Sequence, residues 1–129
     1  DLGARFAVSA GYSSEVALVA RDLDIPYFPG VCTPTEMLHA INDGITTLKF
    51  FPAETMGGVN ALKAMSAPFP GISFMPTGGI SIANVKDYLD LPNVVAVGGS
   101  WMVPQKLVDF GDFESVISLT REAVKVCSQ

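Results

Sequence analysis

Short apolar runs alternate with amphipathic segments along the whole chain. Each run has the composition of a β-strand and is followed by a turn and a segment with helical spacing. The runs span residues 5–9, 25–29, 46–51, 72–76 and 94–98. Strands that alternate with helices of about 10–15 residues, and that are apolar throughout, are typical of βα units around a parallel sheet covered on both faces.

Capping residues mark the expected helix boundaries. Thr33, Pro34 and Glu36 have the spacing of a capping box with a first-turn proline, and Gly44 is expected to end the helix that they begin. Three further residues are expected to open helices: Ser81, Pro104 and Asp112.

Repeated βα units fit two architectures, an open doubly wound sheet and a (β/α)8 barrel. The open sheet usually has an early nucleotide-binding fingerprint, and the sequence has none. The barrel needs eight units and at least about 200 residues, whereas this chain has 129 residues and five such runs. We therefore predict an α/β fold, a (β/α)8 TIM barrel with about five βα units in this chain, forming one domain over residues 1–129. Because Asp1–Ala4 resemble the end of a helix, we also expect a piece of a longer protein.

Composition narrows the classes of function. Hydrophobic residues make up 49% and charged residues 16%, which excludes a disordered chain, and no stretch approaches the roughly 18 apolar residues of a membrane span. The net charge of −5 argues against a nucleic-acid partner. Cys32 and Cys127 have no metal-binding or redox spacing, so we expect free thiols in the cytoplasm.

Lys49 is the candidate nucleophile. In a strand over residues 46–51, Thr47, Lys49 and Phe51 face one side, while Leu48 and Phe50 face the other. Partial desolvation between phenylalanines favours the neutral amine, which attacks a ketone to form an imine. The alternative is a lysine whose stem is buried while its ammonium group reaches solvent.

Two glycine-rich loops are candidates for phosphate binding. Residues 77–81 (TGGIS) follow one predicted strand, and residues 98–100 (GGS) follow the next. Glycines let backbone amides turn toward an anion, and late βα loops of many barrels hold phosphate in this way. His39 stands alone in a helix, and no cluster has the ligand count of a metal site, so we expect neither a metal nor a cofactor.

These motifs together resemble one enzyme family. The segments LKFFPAE, GGVNALKAMSAPFPGISFMPTGGIS and VVAVGGSWMVP are similar to the 2-keto-3-deoxy-6-phosphogluconate / 4-hydroxy-2-oxoglutarate aldolases, and GARFAVSAG and IPYFPGVCTPTE are similar to earlier stretches of that family. The resemblance covers essentially the whole chain. It implies a metal-free class I aldolase, a carbon–carbon lyase that is a homotrimeric (β/α)8 barrel when full length.

The resemblance also implies roles for individual residues. Lys49 matches the imine-forming lysine, Phe51 the aromatic residue beside it, and Thr77 a residue that lines the substrate site. The phosphate-binding positions of the family correspond to Gly78, Gly79 and Ser100. The implied substrate is a small 2-keto acid phosphate, which is cleaved to pyruvate and glyceraldehyde 3-phosphate. The resemblance also implies the unphosphorylated 4-hydroxy-2-oxoglutarate as an alternative substrate.

Two departures from the family pattern affect this interpretation. Ala10 replaces the proline of a usual S-P-G motif, and nothing in the sequence matches the L-E-V-T-x-R motif that carries the catalytic glutamate and a substrate-binding arginine. Glu54 is either an orienting group for Lys49 or an exposed carboxylate. Two alternatives therefore remain: another phosphate-binding barrel, of the thiamin-phosphate synthase or sugar-phosphate epimerase type, and a non-catalytic half-barrel.

Overall fold

The computed structural model describes residues 3–128 as parallel β-strands alternating with α-helices. The strands are β1 (Ala7–Val8), β2 (Tyr27–Phe28), β3 (Gly30–Val31), β4 (Thr47–Phe50) and β5 (Ser73–Phe74). The helices are α1 (Ser14–Asp22), α2 (Pro34–Asn42), α3 (Gly58–Ser66), α4 (Val85–Leu89), α5 (Gln105–Asp109) and α6 (Phe113–Cys127). The expected helix end at residues 1–4 lies partly outside the described residues.

All strand pairs are parallel, and neighbouring strands follow one another in the chain. β1 pairs with β2, and β3, β4 and β5 pair in that order. β2 and β3 are separated only by Pro29, which has no N–H to donate but whose carbonyl accepts a hydrogen bond from the Lys49 N–H at 2.8 Å. Sequential parallel pairing is the arrangement of a barrel wall, so the predicted α/β fold, a partial barrel, is confirmed.

The main core lies between the sheet and the helices. Leu48 and Phe50 of β4 are fully buried in it, together with Phe74 of β5. Thr47 and Lys49 lie on the opposite face of β4 and are half-buried. The alternation predicted for this strand is therefore confirmed, and Lys49 lies on the face away from the helices.

The fifth predicted strand, over residues 94–98, is not a continuous strand. It contacts β5 and the segment after it only through two isolated parallel bridges, Phe74 with Val94 and Thr77 with Gly98. The two bridges are three residues apart in the segment from Phe74 to Thr77 but four residues apart in the segment from Val94 to Gly98. Between them, Pro76 has no N–H to donate to a neighbouring strand. The prediction of a regular strand here was wrong, although the segment follows the expected path along the sheet.

Most predicted helix boundaries are confirmed. Thr33 and Glu36 form the capping box of α2, with the Thr33 N–H donating to the Glu36 carboxylate at 2.9 Å. Gly44 follows this helix with a φ of 82°. The Asp112 carboxylate accepts a hydrogen bond from the Ser115 N–H at 3.1 Å at the start of α6, and Pro104 directly precedes α5.

The predicted cap at Ser81 was wrong. α4 begins at Val85, and its N-cap residue is Asn84. Ser81 accepts hydrogen bonds through its backbone carbonyl, from the N–H groups of Asn84 and Val85, while its own N–H donates to the Asn84 side chain at 2.8 Å. These hydrogen bonds close a turn between the glycine-rich loop and the helix. The helix therefore begins a few residues later than predicted.

Within the described residues, no helix is both long and apolar enough to cross a lipid bilayer. Cys32 is half-buried and Cys127 is exposed, and both are free thiols.

Candidate active site

The segments that follow β4 and β5 continue side by side beyond the strands. The Thr77 N–H donates to the Phe50 carbonyl at 2.9 Å, and the Ala53 N–H donates to the Thr77 carbonyl at 2.8 Å. The Glu54 N–H then donates to the Gly78 carbonyl at 3.0 Å. These hydrogen bonds bring the lysine motif and the first glycine-rich loop to one edge of the sheet.

Lys49 presents its amine on the face of the sheet opposite the core. Its Nζ lies 4.5 Å from the centroid of the Phe51 ring, two residues along the same face. In the parallel register Lys49 is opposite Gly30, whose lack of a side chain leaves room for the Ala10 carbonyl. The amine is therefore held against an aromatic ring and is within reach of a small molecule on this face.

The Phe51 ring also packs against the first glycine-rich loop. A Cβ added to Gly78 would lie 3.2 Å from two ring carbons of Phe51 and 3.2 Å from the Pro52 α-carbon, and the φ of Gly78 is +97°. Both the close approach and the left-handed backbone favour glycine at this position. Lys49, Phe51 and Gly78 thus form one contiguous stack.

The second glycine-rich loop adjoins the first through the Thr77–Gly98 bridge. A Cβ on Gly98 would overlap the Thr77 γ-methyl group, and a Cβ on Gly99 would overlap the Trp101 ring. Both glycines are therefore required by packing. Trp101 packs beneath the loop and is half-buried, whereas Ser100 is exposed at the tip of the loop.

Several polar groups at this edge are without partners in the described chain. The N–H groups of Gly79, Gly99 and Ser100 donate no hydrogen bond to another backbone carbonyl within residues 3–128. Among the same residues, Thr77 Oγ1 and Trp101 Nε1 are buried side-chain atoms without a hydrogen-bond partner. Unpaired buried polar groups are costly, and free amides on glycine-rich loops attract anions. The arrangement suits a small anionic ligand.

Glu54 does not contact Lys49 through any described hydrogen bond. Its carboxylate instead accepts a hydrogen bond from the hydroxyl group of Tyr88, a fully buried residue of α4. Burial of the phenol, together with the hydrogen bond to Glu54, raises the pKa of Tyr88 above its usual value. The sequence analysis did not single out Tyr88. Its spacing from Val85, three residues earlier in a short amphipathic helix, indicates only that it faces the core.

The loop with the unusual Ser9-Ala10-Gly11 sequence lies beside the same strands. The Ala10 carbonyl is so close to Gly30 that a Cβ on Gly30 would overlap it. The Ser9 hydroxyl group donates to the Gly11 carbonyl at 2.5 Å, which tightens the loop. Because Gly30 pairs with Lys49, the residue that departs from the family pattern contacts the strand position opposite the lysine.

The largest described contrast to this edge is a cavity elsewhere in the fold, which contains none of the predicted site residues. A cavity of about 570 Å³ lies at the amino ends of β2 and β4, and its lining includes Arg21 and Asp43 but none of the predicted site residues. Within the part of the chain that the structure describes, no three His, Cys, Asp or Glu side chains are grouped so that they could hold a metal ion.

Comparison with known proteins identifies close relatives. A family model described as "KDPG and KHG aldolase" matches residues 1–119. The chain is 48% identical over 123 residues to the 2-dehydro-3-deoxy-phosphogluconate aldolase of Pseudomonas aeruginosa, covering 95% of this chain and 56% of the relative.

Solved structures agree with this match. The KDPG aldolase of Legionella pneumophila, with pyruvate captured as a covalent carbinolamine intermediate, superposes with a TM-score of 0.86 at 42% identity, covering 91% of this chain and 57% of that one. The aldolase of Zymomonas mobilis with 3-phosphoglycerate has a TM-score of 0.86 at 36% identity, covering 94% and 56%. The chain thus spans little more than half the length of these relatives.

Proposed function

The chain belongs to the KDPG and KHG aldolase family, and on this basis we propose that Lys49 is the imine-forming lysine of a class I aldolase. The observation that carries the proposal is the position of its amine. Nζ is 4.5 Å from the Phe51 ring centroid, on the half-buried face of β4 and beside two loops with free amides. The Legionella relative, which captures pyruvate covalently, supports the same chemistry.

The reaction begins when the neutral Lys49 amine attacks the C2 ketone of the 2-keto acid and water is lost. The resulting protonated imine accepts the electron pair of the C3–C4 bond when a base removes the proton from the C4 hydroxyl group. Glyceraldehyde 3-phosphate leaves, the enamine is protonated at C3, and hydrolysis releases pyruvate and restores the lysine. Phe51 and Thr77 border the keto-acid portion in this arrangement.

The phosphate end of the substrate is proposed to bind the two glycine-rich loops. Gly78, Gly79 and Ser100 lie there, and the amides of Gly79 and Ser100 have no backbone acceptor in the described chain. Backbone N–H groups of this kind can bind an anion without help from a cationic side chain. These loops favour 2-keto-3-deoxy-6-phosphogluconate as the substrate, with 4-hydroxy-2-oxoglutarate as a second substrate that leaves the phosphate site empty.

The general base is the missing part of this mechanism. The 129 residues contain no match to the L-E-V-T-x-R motif of the family, and a general base contributes about 10²–10⁴-fold in rate. We propose that this chain forms the imine but cleaves the C3–C4 bond slowly, and that the protein acts as a cytoplasmic homotrimer without a metal or cofactor.

Borohydride reduction in the presence of pyruvate tests the assignment, because only an imine is converted into a stable secondary amine. We expect labelling of the wild-type chain at Lys49 and none of Lys49→Met. Lys63→Met is the matched control, because Lys63 is an exposed lysine of α3 away from the sheet edge. Labelling of Lys49→Met at the wild-type yield would overturn the proposal.

The same labelling experiment separates the proposed aldolase from both alternatives. A thiamin-phosphate synthase or epimerase type of barrel, or a non-catalytic half-barrel, binds phosphate at the glycine-rich loops without forming an imine. Phosphate binding with no pyruvate labelling of the wild-type chain would favour these alternatives.

A further inference from the structure

We propose that Glu54 is a positioning residue that holds the glycine pair Gly78–Gly79 in place and fixes the phosphate-binding loop relative to the strand of Lys49. The inference rests on the proposed function, because that function makes these glycines part of a phosphate site. It assigns a role to a carboxylate that takes no part in the proposed imine chemistry.

Glu54 contacts both glycines directly. Its N–H donates to the Gly78 carbonyl at 3.0 Å. A Cβ on Gly79 would lie 2.6 Å from the Glu54 Cβ and 2.7 Å from its Cγ, so the α-carbon of Gly79 rests on the aliphatic part of the Glu54 side chain. The glycine pair is therefore held by a backbone hydrogen bond on one residue and by side-chain packing on the next.

The far end of the Glu54 side chain is fixed in turn. The fully buried Tyr88 donates its hydroxyl hydrogen to Glu54 Oε1. A Cβ on Gly58 would lie 3.1 Å from the same oxygen and 3.4 Å from the Tyr88 hydroxyl oxygen. Although Glu54 as a whole is exposed, its carboxylate occupies a defined place between α3 and α4.

This chain of contacts connects the segment that follows Lys49 to the proposed phosphate loop. Glu54 lies five residues after Lys49 in the chain, and Tyr88 belongs to the helix that follows the glycine-rich loop. One side chain therefore links the lysine segment, the loop and α4. Because a displacement of about 1 Å lowers the efficiency of a binding or catalytic site severalfold or more, such a link matters for phosphate binding.

A positioning role is distinguishable from the role of a charge or a base. The amide of Glu54→Gln keeps the side-chain length and an oxygen that accepts from Tyr88, whereas Glu54→Ala removes the Cγ beneath Gly79 and the acceptor. Positioning therefore predicts that Gln rescues the site. A charge effect predicts tighter phosphate binding in Glu54→Gln, because a negative group near an anion has been removed.

The test is calorimetric titration of the 129-residue chain with inorganic phosphate, with pyruvate labelling measured on the same samples. For Glu54→Ala we expect the phosphate affinity to be about tenfold lower than in the wild type. The rate of pyruvate labelling is expected to change less than the affinity. Glu54→Gln is expected to stay within about twofold of the wild type, and Tyr88→Phe to lose about threefold. Glu114→Ala, an exposed carboxylate of α6, is the control and is expected to match the wild type.

Several outcomes would overturn the inference. These are unchanged phosphate affinity in Glu54→Ala, tighter binding in Glu54→Gln, and a wild-type chain that binds no phosphate. If Glu54→Ala does not fold, Tyr88→Phe decides, and an affinity equal to that of the wild type rejects the inference. Loss of phosphate affinity in Glu54→Ala, together with absence of pyruvate labelling in the wild type, would reject the proposed function while supporting the positioning role.

Discussion

The Phe51 ring contacts both the Lys49 amine and the backbone of Gly78. The amine is 4.5 Å from the ring centroid, and a Cβ on Gly78 would be 3.2 Å from the ring carbons. One aromatic side chain thus contacts both the proposed nucleophile and the proposed phosphate loop. Any change in its size or shape acts on both.

Replacement of Phe51 by Leu should therefore impair imine formation. The planar ring is lost and the support on both sides is disturbed, so we expect pyruvate labelling at least about tenfold slower than in the wild type. Phe51→Tyr keeps the ring and should remain within about threefold. The initial rate of borohydride labelling against pyruvate concentration measures both variants, and equal rates for Leu and Phe would contradict the prediction.

Gly79→Ala should destabilise the fold more than an alanine at another left-handed glycine. Gly79 has a φ of +79° and contacts Glu54, whereas Gly71 has a φ of +88° with nothing within 4 Å of an added Cβ. Gly71→Ala reports the backbone strain alone, about 1–2 kcal/mol. Gly79→Ala adds a steric clash of about 1–3 kcal/mol. Urea denaturation of both variants measures the difference, and equal losses would show that Glu54 moves aside freely.

The contact between Thr77 and Gly98 can be tested by a double-mutant cycle. A Cβ on Gly98 would overlap the Thr77 γ-methyl group, which Thr77→Ser removes while keeping the hydroxyl. We expect Gly98→Ala to cost about 2–3 kcal/mol and the combination with Thr77→Ser to recover at least about 1 kcal/mol of that loss. If the losses in free energy of unfolding of the two single variants simply add in the double variant, the clash does not involve the Thr77 γ-methyl group.

The capping box of α2 should make stability depend on pH. Burial disfavours ionisation of Glu36, but hydrogen bonds from Cys32 and Thr33 outweigh it and lower the pKa of this carboxyl group. Because the folded-state pKa lies below the unfolded value of about 4.3, the stabilisation is present above that value and is lost as the pH falls through the folded-state pKa.

Glu36→Gln should accordingly cost about 1 kcal/mol at neutral pH, and this difference from the wild type should disappear under acid conditions. Glu15→Gln is the matched control, because Glu15 is an exposed carboxylate in the first turn of α1. Denaturation curves at several pH values make the comparison. A Glu36→Gln deficit that persists at low pH would assign the effect to packing.

Local chemistry was enough to predict most elements from the sequence. Thr33, Glu36 and Asp112 cap their helices through side chains within a few residues of the bonds they make, and the alternation in β4 follows from backbone geometry alone. For the same reason the sequence placed Lys49 and Phe51 on one face. The two glycine-rich loops were recognisable because each follows an apolar run.

Contacts between distant segments were decided only by the tertiary structure. The interruption of the fifth strand depends on how Pro76 meets residues 94–98, and the late start of α4 depends on hydrogen bonds between Ser81 and Asn84. The partnership of Glu54 with Tyr88 joins residues 34 positions apart. Neither residue has a local pattern that specifies the other, because a buried phenol donates to whichever acceptor the packing of α3 and α4 brings to it.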